Sequence, residues 1–195
     1  MTSDADKERE RCREAEQFRR IDAAFREGDL AALRVAVDDP DCIPNGPMPM
    51  AIGPCLAYAI YHSSITFIRA LLEAGANPNP ENHDGFPPLI AALSCHQRPP
   101  GGEARPDVAE IVALLLASGA DPNQRGINDY TALHMAVGVN HPAAVRLLLE
   151  AGADPRLRTR IDDCETPRDV ADKAGLIELS RMLANAEKRL PNPSP

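Results

Sequence analysis

Cys95 and His96 are adjacent in the sequence, and a thiol beside an imidazole could serve as a nucleophile with its general base. Neighbouring residues at the end of a helix point in different directions, however, so the two groups are poorly placed to act together. The sequence also offers no third residue that would orient the imidazole. We therefore expect no catalytic residue, and we predict that the protein is not an enzyme.

The five cysteines and five histidines do not fall at the spacing of zinc ligands. An odd number of widely separated cysteines also does not form a disulfide framework. The glycine motifs that cradle nucleotide phosphates are missing from the sequence. These patterns predict neither a metal site nor a cofactor.

The net charge of −8 excludes a typical nucleic-acid-binding surface, which needs a basic stripe. No apolar run is long enough to cross a membrane. The N-terminal stretch "MTSDADKERERCREAE" lacks the apolar segment of a signal peptide, which favours a cytoplasmic protein. Acidity of this size favours a partner protein with a basic or mixed surface.

The sequence contains nearly the same nine-residue motif three times: "ALLEAGANP" at 70–78, "LLLASGADP" at 114–122 and "LLLEAGADP" at 147–155. In each motif a leucine-rich amphipathic run is followed by a glycine, which can adopt the left-handed conformation that ends a helix. The proline that follows prevents the helix from resuming. Only 4% of the residues are aromatic, which also favours closely packed helices over strands. The pattern predicts an all-α solenoid.

The other half of each repeat precedes the leucine-rich run. "DYTALHMAVGVNH" from Asp129 gives a threonine cap, a short helix and a turn, and "CETPRDVADKAG" from Cys164 begins with Thr166-Pro167. Threonine accepts a free backbone N–H at a helix start, and proline fits the first helical position. Each repeat is therefore expected to be a helix–turn–helix unit.

These residues resemble ankyrin repeats, with the closest agreement over residues 129–155, where Thr131, Leu133, His134 and Gly152 fall on the family pattern. The resemblance implies an ankyrin-repeat solenoid of stacked helix-turn-helix units with finger-like turns. It also implies that His134 forms structural hydrogen bonds between neighbouring turns. We place five repeats at about 17–48, 49–81, 82–125, 126–160 and 161–190, the first and last being cap-like, in a single domain over 17–190. Residues 1–16 are predicted to be a charged, helical extension and residues 191–195 a disordered tail.

The glycines Gly75 and Gly119 lie 44 residues apart, whereas Gly119 and Gly152 lie 33 apart. The excess of 11 residues matches "HQRPPGGEARP" at 96–106, which reads as an exposed loop between the two helices of the third repeat. Two interpretations remain open: a tolerated surface insertion, or a loop that takes part in binding.

The resemblance further implies that partners dock on the concave face, which the turns and the first helices line. A strip of Tyr61, Phe86, Ile127 and Tyr130 is expected at its centre, because exposed aromatic residues are favoured interface anchors. The full set of predicted partner-binding residues is Met50, Tyr61, His62, His83, Asp84, Phe86, Cys95, Ile127, Asn128, Tyr130, Val139, Asp162 and Glu165.

The predicted function is non-enzymatic binding of another protein by a monomer, which would scaffold, mask or inhibit that partner. Two alternatives remain. One is a redox-responsive thiol protein that uses Cys95 or Cys164. The other is an effector or immunity-type inhibitor of a foreign protein.

Overall fold

The computed structural model describes residues 4–46, 48–49, 53–81, 86–95 and 105–191. Over these residues every regular element is a helix and no strand occurs, which confirms the predicted all-α fold class. The chain divides into an N-terminal unit, Met1–Asn77, and a C-terminal unit, Pro78–Pro195.

Over its described residues, the N-terminal unit contains two pairs of helices. They are α1 (Asp4–Glu27), α2 (Leu30–Ala36), α3 (Cys55–His62) and α4 (Ile65–Glu73), with a short 3₁₀ turn at Pro40–Cys42. The charged first half of α1 is exposed, and its side chains form ion pairs along the helix, such as Arg9 with Asp6 at 3.8 Å. The apolar core begins further along α1. Its largest fully buried side chains are Ile21, Phe25, Leu33, Ile60, Phe67, Ile68 and Leu71.

Two adjacent serines at the start of α4 have opposite environments. The hydroxyl of Ser64 caps the helix by accepting a hydrogen bond from the amide of Phe67 (3.4 Å). The hydroxyl of Ser63 is buried and finds no hydrogen-bond partner within the described part of the chain. A buried hydroxyl without a hydrogen-bond partner destabilises the folded state, whereas a helix cap stabilises it.

We therefore expect Ser63→Ala to leave the free energy of unfolding unchanged or raise it by up to about 1 kcal/mol. Ser64→Ala should lower it by about 0.5–2 kcal/mol, because the cap is lost. Urea denaturation of the two variants provides the comparison. A larger loss from Ser63→Ala than from Ser64→Ala would contradict this assignment.

The C-terminal unit contains three pairs of helices over its described residues. They are α5 (Pro88–Ser94), α6 (Val108–Ala117), α7 (Ala132–Gly138), α8 (Pro142–Glu150), α9 (Pro167–Lys173) and α10 (Ile177–Glu187). Its core is aliphatic and includes Leu93, Ile111, Leu115, Leu133, Val145, Leu148 and Leu183.

The predicted helix signals are confirmed. Gly75, Gly119 and Gly152 have φ values of 93°, 88° and 92°, so each adopts the left-handed conformation just past a helix. Thr166 begins α9 with a capping box, in which its hydroxyl accepts from the amide of Asp169 and the Asp169 carboxylate accepts from the amide of Thr166.

An asparagine side chain clamps each turn that follows a leucine-rich helix. In the C-terminal unit, Asn79 donates to the carbonyl of Gly119 (2.8 Å) and accepts from the amide of Asp121 (2.6 Å). Asn123 makes the same two bonds with Gly152 (3.1 Å) and Asp154 (2.7 Å). Asn45 repeats the arrangement in the N-terminal unit, with Gly75 and Asn77. We call these three residues the asparagine clamps.

The sequence separations that the clamps span differ by the length of the predicted insertion, whose position stays a prediction. Asn79 reaches 40 residues forward to Gly119, whereas Asn123 reaches 29 residues forward to Gly152. The difference equals the 11 residues assigned to the insertion. The amide of Arg105 donates to the carbonyl of Cys95 (3.3 Å), so the chain leaves and rejoins the repeat at neighbouring points. Residues 96–104 themselves lie outside the described residues.

Candidate functional site

The turn that precedes α7 holds its side chains on a constrained backbone. Ile127–Asp129 form a 3₁₀ turn in which Asn128 and Asp129 have φ values of 58° and 62°. The left-handed region is unfavourable for residues with a Cβ, so the surrounding contacts must hold this turn in place. One such contact comes from the next turn, where the amide of Arg160 donates to the carbonyl of Asn128 (2.9 Å).

The turn that precedes α9 repeats this geometry. It comprises Asp162–Cys164, in which Asp163 and Cys164 have φ values of 65° and 55°. Lys173 on α9 donates to the carboxylate of Asp163 (3.2 Å). We call these two turns the fingertips of the C-terminal unit.

Apolar side chains are exposed in the segments that precede the first helix of each pair in the C-terminal unit. Phe86 and Ile127 retain 43% and 61% of their accessible surface. Tyr130 is half-buried, and its ring centroid lies 5.5 Å from that of His134. The sequence interpretation did not include Ile161, which is 38% exposed. Its signal would have been a β-branched apolar residue in the otherwise polar stretch "TRIDDCE".

His134 forms the structural hydrogen bonds that the family resemblance implies. Its Nδ1 accepts from the hydroxyl of Thr131 (2.9 Å) and from the Thr131 amide (3.3 Å), and its Nε2 lies 3.0 Å from the carbonyl oxygen of Glu165. A carbonyl can only accept, so Nε2 carries the proton and the ring is neutral. Burial lowers the pKa of His134, which favours the same neutral form.

One predicted site residue differs from its expected environment. Glu165 was expected to face solvent, but the residue is buried and its carboxylate forms an ion pair with Lys173. Its carbonyl also accepts the hydrogen bond from His134. Glu165 therefore links the second fingertip to helices α7 and α9, and a partner would not reach it without displacing Lys173.

The N-terminal unit places two further predicted site residues on α3. Tyr61 is exposed, and His62 packs its ring against that of Tyr58, with centroids 4.3 Å apart. The Tyr58 hydroxyl donates to the Asp22 carboxylate (2.9 Å), which also accepts from Arg26 (2.7 Å). Burial lowers the pKa of His62, so the imidazole serves here as a neutral, partly apolar surface.

The remaining predicted residues divide into two groups. Cys95, Asn128 and Val139 are half-buried, and each lies in the C-terminal unit. Met50, His83 and Asp84 lie outside the described residues, as does the side chain of Asp162. Their part in binding stays a prediction.

The environment of the cysteines bears on the thiol alternative. None of the five cysteines, all of which are described, forms a disulfide. Burial raises the pKa of Cys95 to about 11 and that of Cys55 to about 12. Because the thiolate is the reactive form, neither side chain is an activated nucleophile at neutral pH. The Cys95 thiol instead donates to the carbonyl of Ala91 (3.3 Å).

The described residues offer no arrangement for metal binding or for crossing a membrane. They contain no cluster of three or more histidine, cysteine or carboxylate side chains arranged to hold a metal ion. None of the described helices is both long and apolar enough to cross a membrane.

Comparison with known proteins identifies the repeats. A family model described as ankyrin repeats in many copies matches residues 110–171, which include α7, α8 and both fingertips. The chain is an ankyrin-repeat protein. An ankyrin repeat-containing protein of Treponema pallidum is 47% identical over 51 residues, which is 26% of this chain and 17% of the relative. The ankyrin repeat-containing protein P1E11.10 of Schizosaccharomyces pombe is 36% identical over 76 residues, 39% of this chain and 34% of the relative.

A longer match, 33% identical over 129 residues, is to the glycerophosphocholine phosphodiesterase gde1 of Schizosaccharomyces pombe. It covers 66% of this ankyrin-repeat protein but 10% of the phosphodiesterase. The chain thus spans between 10% and 34% of the length of these three relatives. Ankyrin repeats generally mediate protein–protein interactions, and the family is typically non-enzymatic.

Proposed function

We propose that this ankyrin-repeat protein is a non-enzymatic binding module that docks another protein on the concave face formed by its turns and first helices. The observation that carries the proposal is the set of exposed apolar side chains in the segments that precede the first helices of the C-terminal unit, namely Phe86, Ile127 and Ile161, with Tyr130 half-buried just after the first fingertip. Large apolar side chains are costly to leave in water and become anchors when a partner covers them.

The backbone beneath these side chains supports the proposal. The left-handed residues of each fingertip and the bond from Arg160 to Asn128 hold the exposed groups in one arrangement. A surface that is already ordered loses little conformational entropy when a partner binds. Such preorganisation suits a protein that recognises a folded partner.

The charges around the fingertips refine the expected partner. Asp163 and Glu165 are paired with Lys173, and Asp129 lies 3.7 Å from Arg125. Carboxylates that already have cationic neighbours exert a weaker field on an approaching protein. We therefore propose a monomeric module whose partner has an apolar centre and a mixed-charge rim, and we propose no nucleic-acid or membrane partner.

Among the alternatives, a redox-responsive thiol protein based on Cys95 is disfavoured, because burial raises the pKa of that thiol to about 11. The binding hypothesis gives the exposed apolar side chains a role, whereas the thiol hypothesis gives them none. A role as an effector or immunity-type inhibitor would use the same binding surface on a foreign protein.

The decisive experiment truncates two exposed apolar side chains of the proposed surface and compares them with an exposed isoleucine elsewhere in the C-terminal unit. Affinity capture from the native cell with mass spectrometry identifies the partner, and its affinity is then measured for Ile127→Ala and Phe86→Ala. Each change should weaken binding at least about tenfold, equivalent to about 1.4 kcal/mol, while the melting temperature stays unchanged.

Ile177→Ala is the matched control, because Ile177 on α10 is 74% exposed but lies far along the chain from the fingertips. It should leave the affinity unchanged. If Ile177→Ala weakens binding and Ile127→Ala does not, the partner docks on the second helices and the proposed surface is wrong.

A further inference from the structure

A second surface lies in the C-terminal unit, between helices α8 and α10. Here a groove with a volume of about 340 Å³ opens to solvent, a size at the lower end of ligand-binding pockets. Small residues keep it open, notably Gly152 and Ala186. A Cβ added at Gly152 would meet no atom within 4 Å, so no described group fills this end of the groove.

The floor of the groove is apolar. Leu149 of α8 and Met182 of α10 line it, together with Leu190 just past the end of α10. All three are half-buried, so each keeps part of its apolar surface in contact with water. Methionine adapts its shape to irregular apolar ligands, which suits a groove that receives a side chain from outside.

The rim of the groove carries arginines that lack an ion pair. Arg146 and Arg189 are exposed, and neither has a carboxylate partner within the described part of the chain. Two other arginines of the C-terminal unit already form ion pairs: Arg156 with Asp154 (3.0 Å) and Arg168 with Glu187 (3.1 Å). Glu150 is the acidic residue of the rim, so the two arginines leave it with a net positive charge.

We propose that this groove binds an acidic segment of another protein that inserts one large apolar side chain. The apolar side chain would contact Leu149, Met182 and Leu190, and carboxylates beside it would pair with Arg146 and Arg189. The guanidinium group matches a carboxylate in a two-pronged geometry, so two unpaired arginines favour carboxylates as the partner's polar groups. The groove is small, which favours a peptide segment over an extended surface.

The test selects ligands without assuming their sequence. A phage-displayed library of random peptides is selected on the full chain, and the enriched peptides are synthesised and titrated by fluorescence polarisation. The enriched peptides should combine Asp or Glu with one Leu, Ile, Met or Phe. Ala186→Trp, which fills the groove, should abolish their binding, and Arg146→Glu and Arg189→Glu should each weaken it about tenfold or more.

Arg181→Glu is the matched control, because Arg181 is exposed on the same helix as the groove but does not line it. It should leave binding unchanged, and so should Ile127→Ala, which separates this site from the concave face. Thermal melting monitors folding, and the two rim variants test the site even if Ala186→Trp fails to fold. The proposal would be overturned if no peptide that combines acidic residues with a large apolar residue is enriched. It would also be overturned if the enriched peptides bind the native chain and both rim variants equally well. A dimer in sedimentation equilibrium that Arg189→Glu dissociates would also overturn it, since the groove would then hold a second copy of the chain.

Discussion

Replacing Leu148 with alanine should lower the free energy of unfolding by about 2–5 kcal/mol. Leu148 lies on α8 and has no solvent exposure. Removing its side chain loses the transfer free energy of the buried atoms and leaves a cavity that the neighbouring helices fill only in part. In a repeat protein each repeat buries its leucines against its neighbours, so the cavity weakens packing on both sides of α8.

Urea denaturation followed by circular dichroism measures this loss as a shift of the midpoint. Leu149→Ala is the control, because Leu149 is the next residue of the same helix but is half-buried at the groove. Its truncation removes the same atoms from a wetter site and should cost much less. Equal losses from the two variants would show that the core of the C-terminal unit lies elsewhere.

The free energy of unfolding should fall as the pH is lowered through the ordinary titration range of histidine, and His134 should account for much of the change. The pKa of His134 is lowered by burial from its usual 6.5. Below about pH 6.5 the unfolded chain therefore binds a proton that the folded chain does not, and stability is lost towards the lower folded pKa. Above that range the contribution of the neutral ring is fully present. Protonation of Nδ1 would also remove the acceptor for the Thr131 amide and hydroxyl.

Chemical denaturation between about pH 7.5 and pH 5 measures this effect in the range where histidine side chains ordinarily titrate. His134→Leu should be less stable at neutral pH by about 1–3 kcal/mol, because the buried Thr131 amide loses its acceptor, whereas the Glu165 carbonyl keeps its bond from the Thr159 amide. It should also show a shallower pH dependence than the native chain.

The pKa of His62 is lowered in the same direction, so the stability of the His134→Leu variant should retain some dependence on pH. The double variant His62→Ala/His134→Leu should remove most of that slope. A native chain whose stability is flat over this range, or a single variant with an unchanged slope, would contradict the role given to His134.

The repeat architecture was readable from the sequence because its signals are local. A glycine after a leucine-rich run, as at Gly152, ends a helix through its own φ preference, and Thr166-Pro167 begins one through its own hydrogen bond. His134 was predictable for a different reason, since the family resemblance implies structural hydrogen bonds between neighbouring turns at this position.

The candidate site was less predictable because exposure depends on partners distant in the sequence. Glu165 follows a turn, where a charged residue normally faces water, yet it is buried. Its carboxylate pairs with Lys173, and its carbonyl accepts a hydrogen bond from His134. Ile161 was overlooked because its one signal, a single apolar residue in a polar stretch, does not show whether the side chain is exposed or buried. The groove between α8 and α10 depends on the spacing of two helices, which no local pattern encodes.

The asparagine clamps also bear on how this chain can change in length over evolution. Asn79 holds Gly119 and Asp121 with the bonds that Asn123 makes to Gly152 and Asp154, although its reach is 11 residues longer. Each clamp fixes only the turn that it binds, not the chain that leads to that turn. The segment between Cys95 and Arg105 can therefore gain or lose residues without changing how the following repeats align. Insertions and deletions should therefore accumulate at this point among homologues, and a foreign sequence, such as an epitope tag or a protease site, can be grafted there while the repeats on either side keep their alignment.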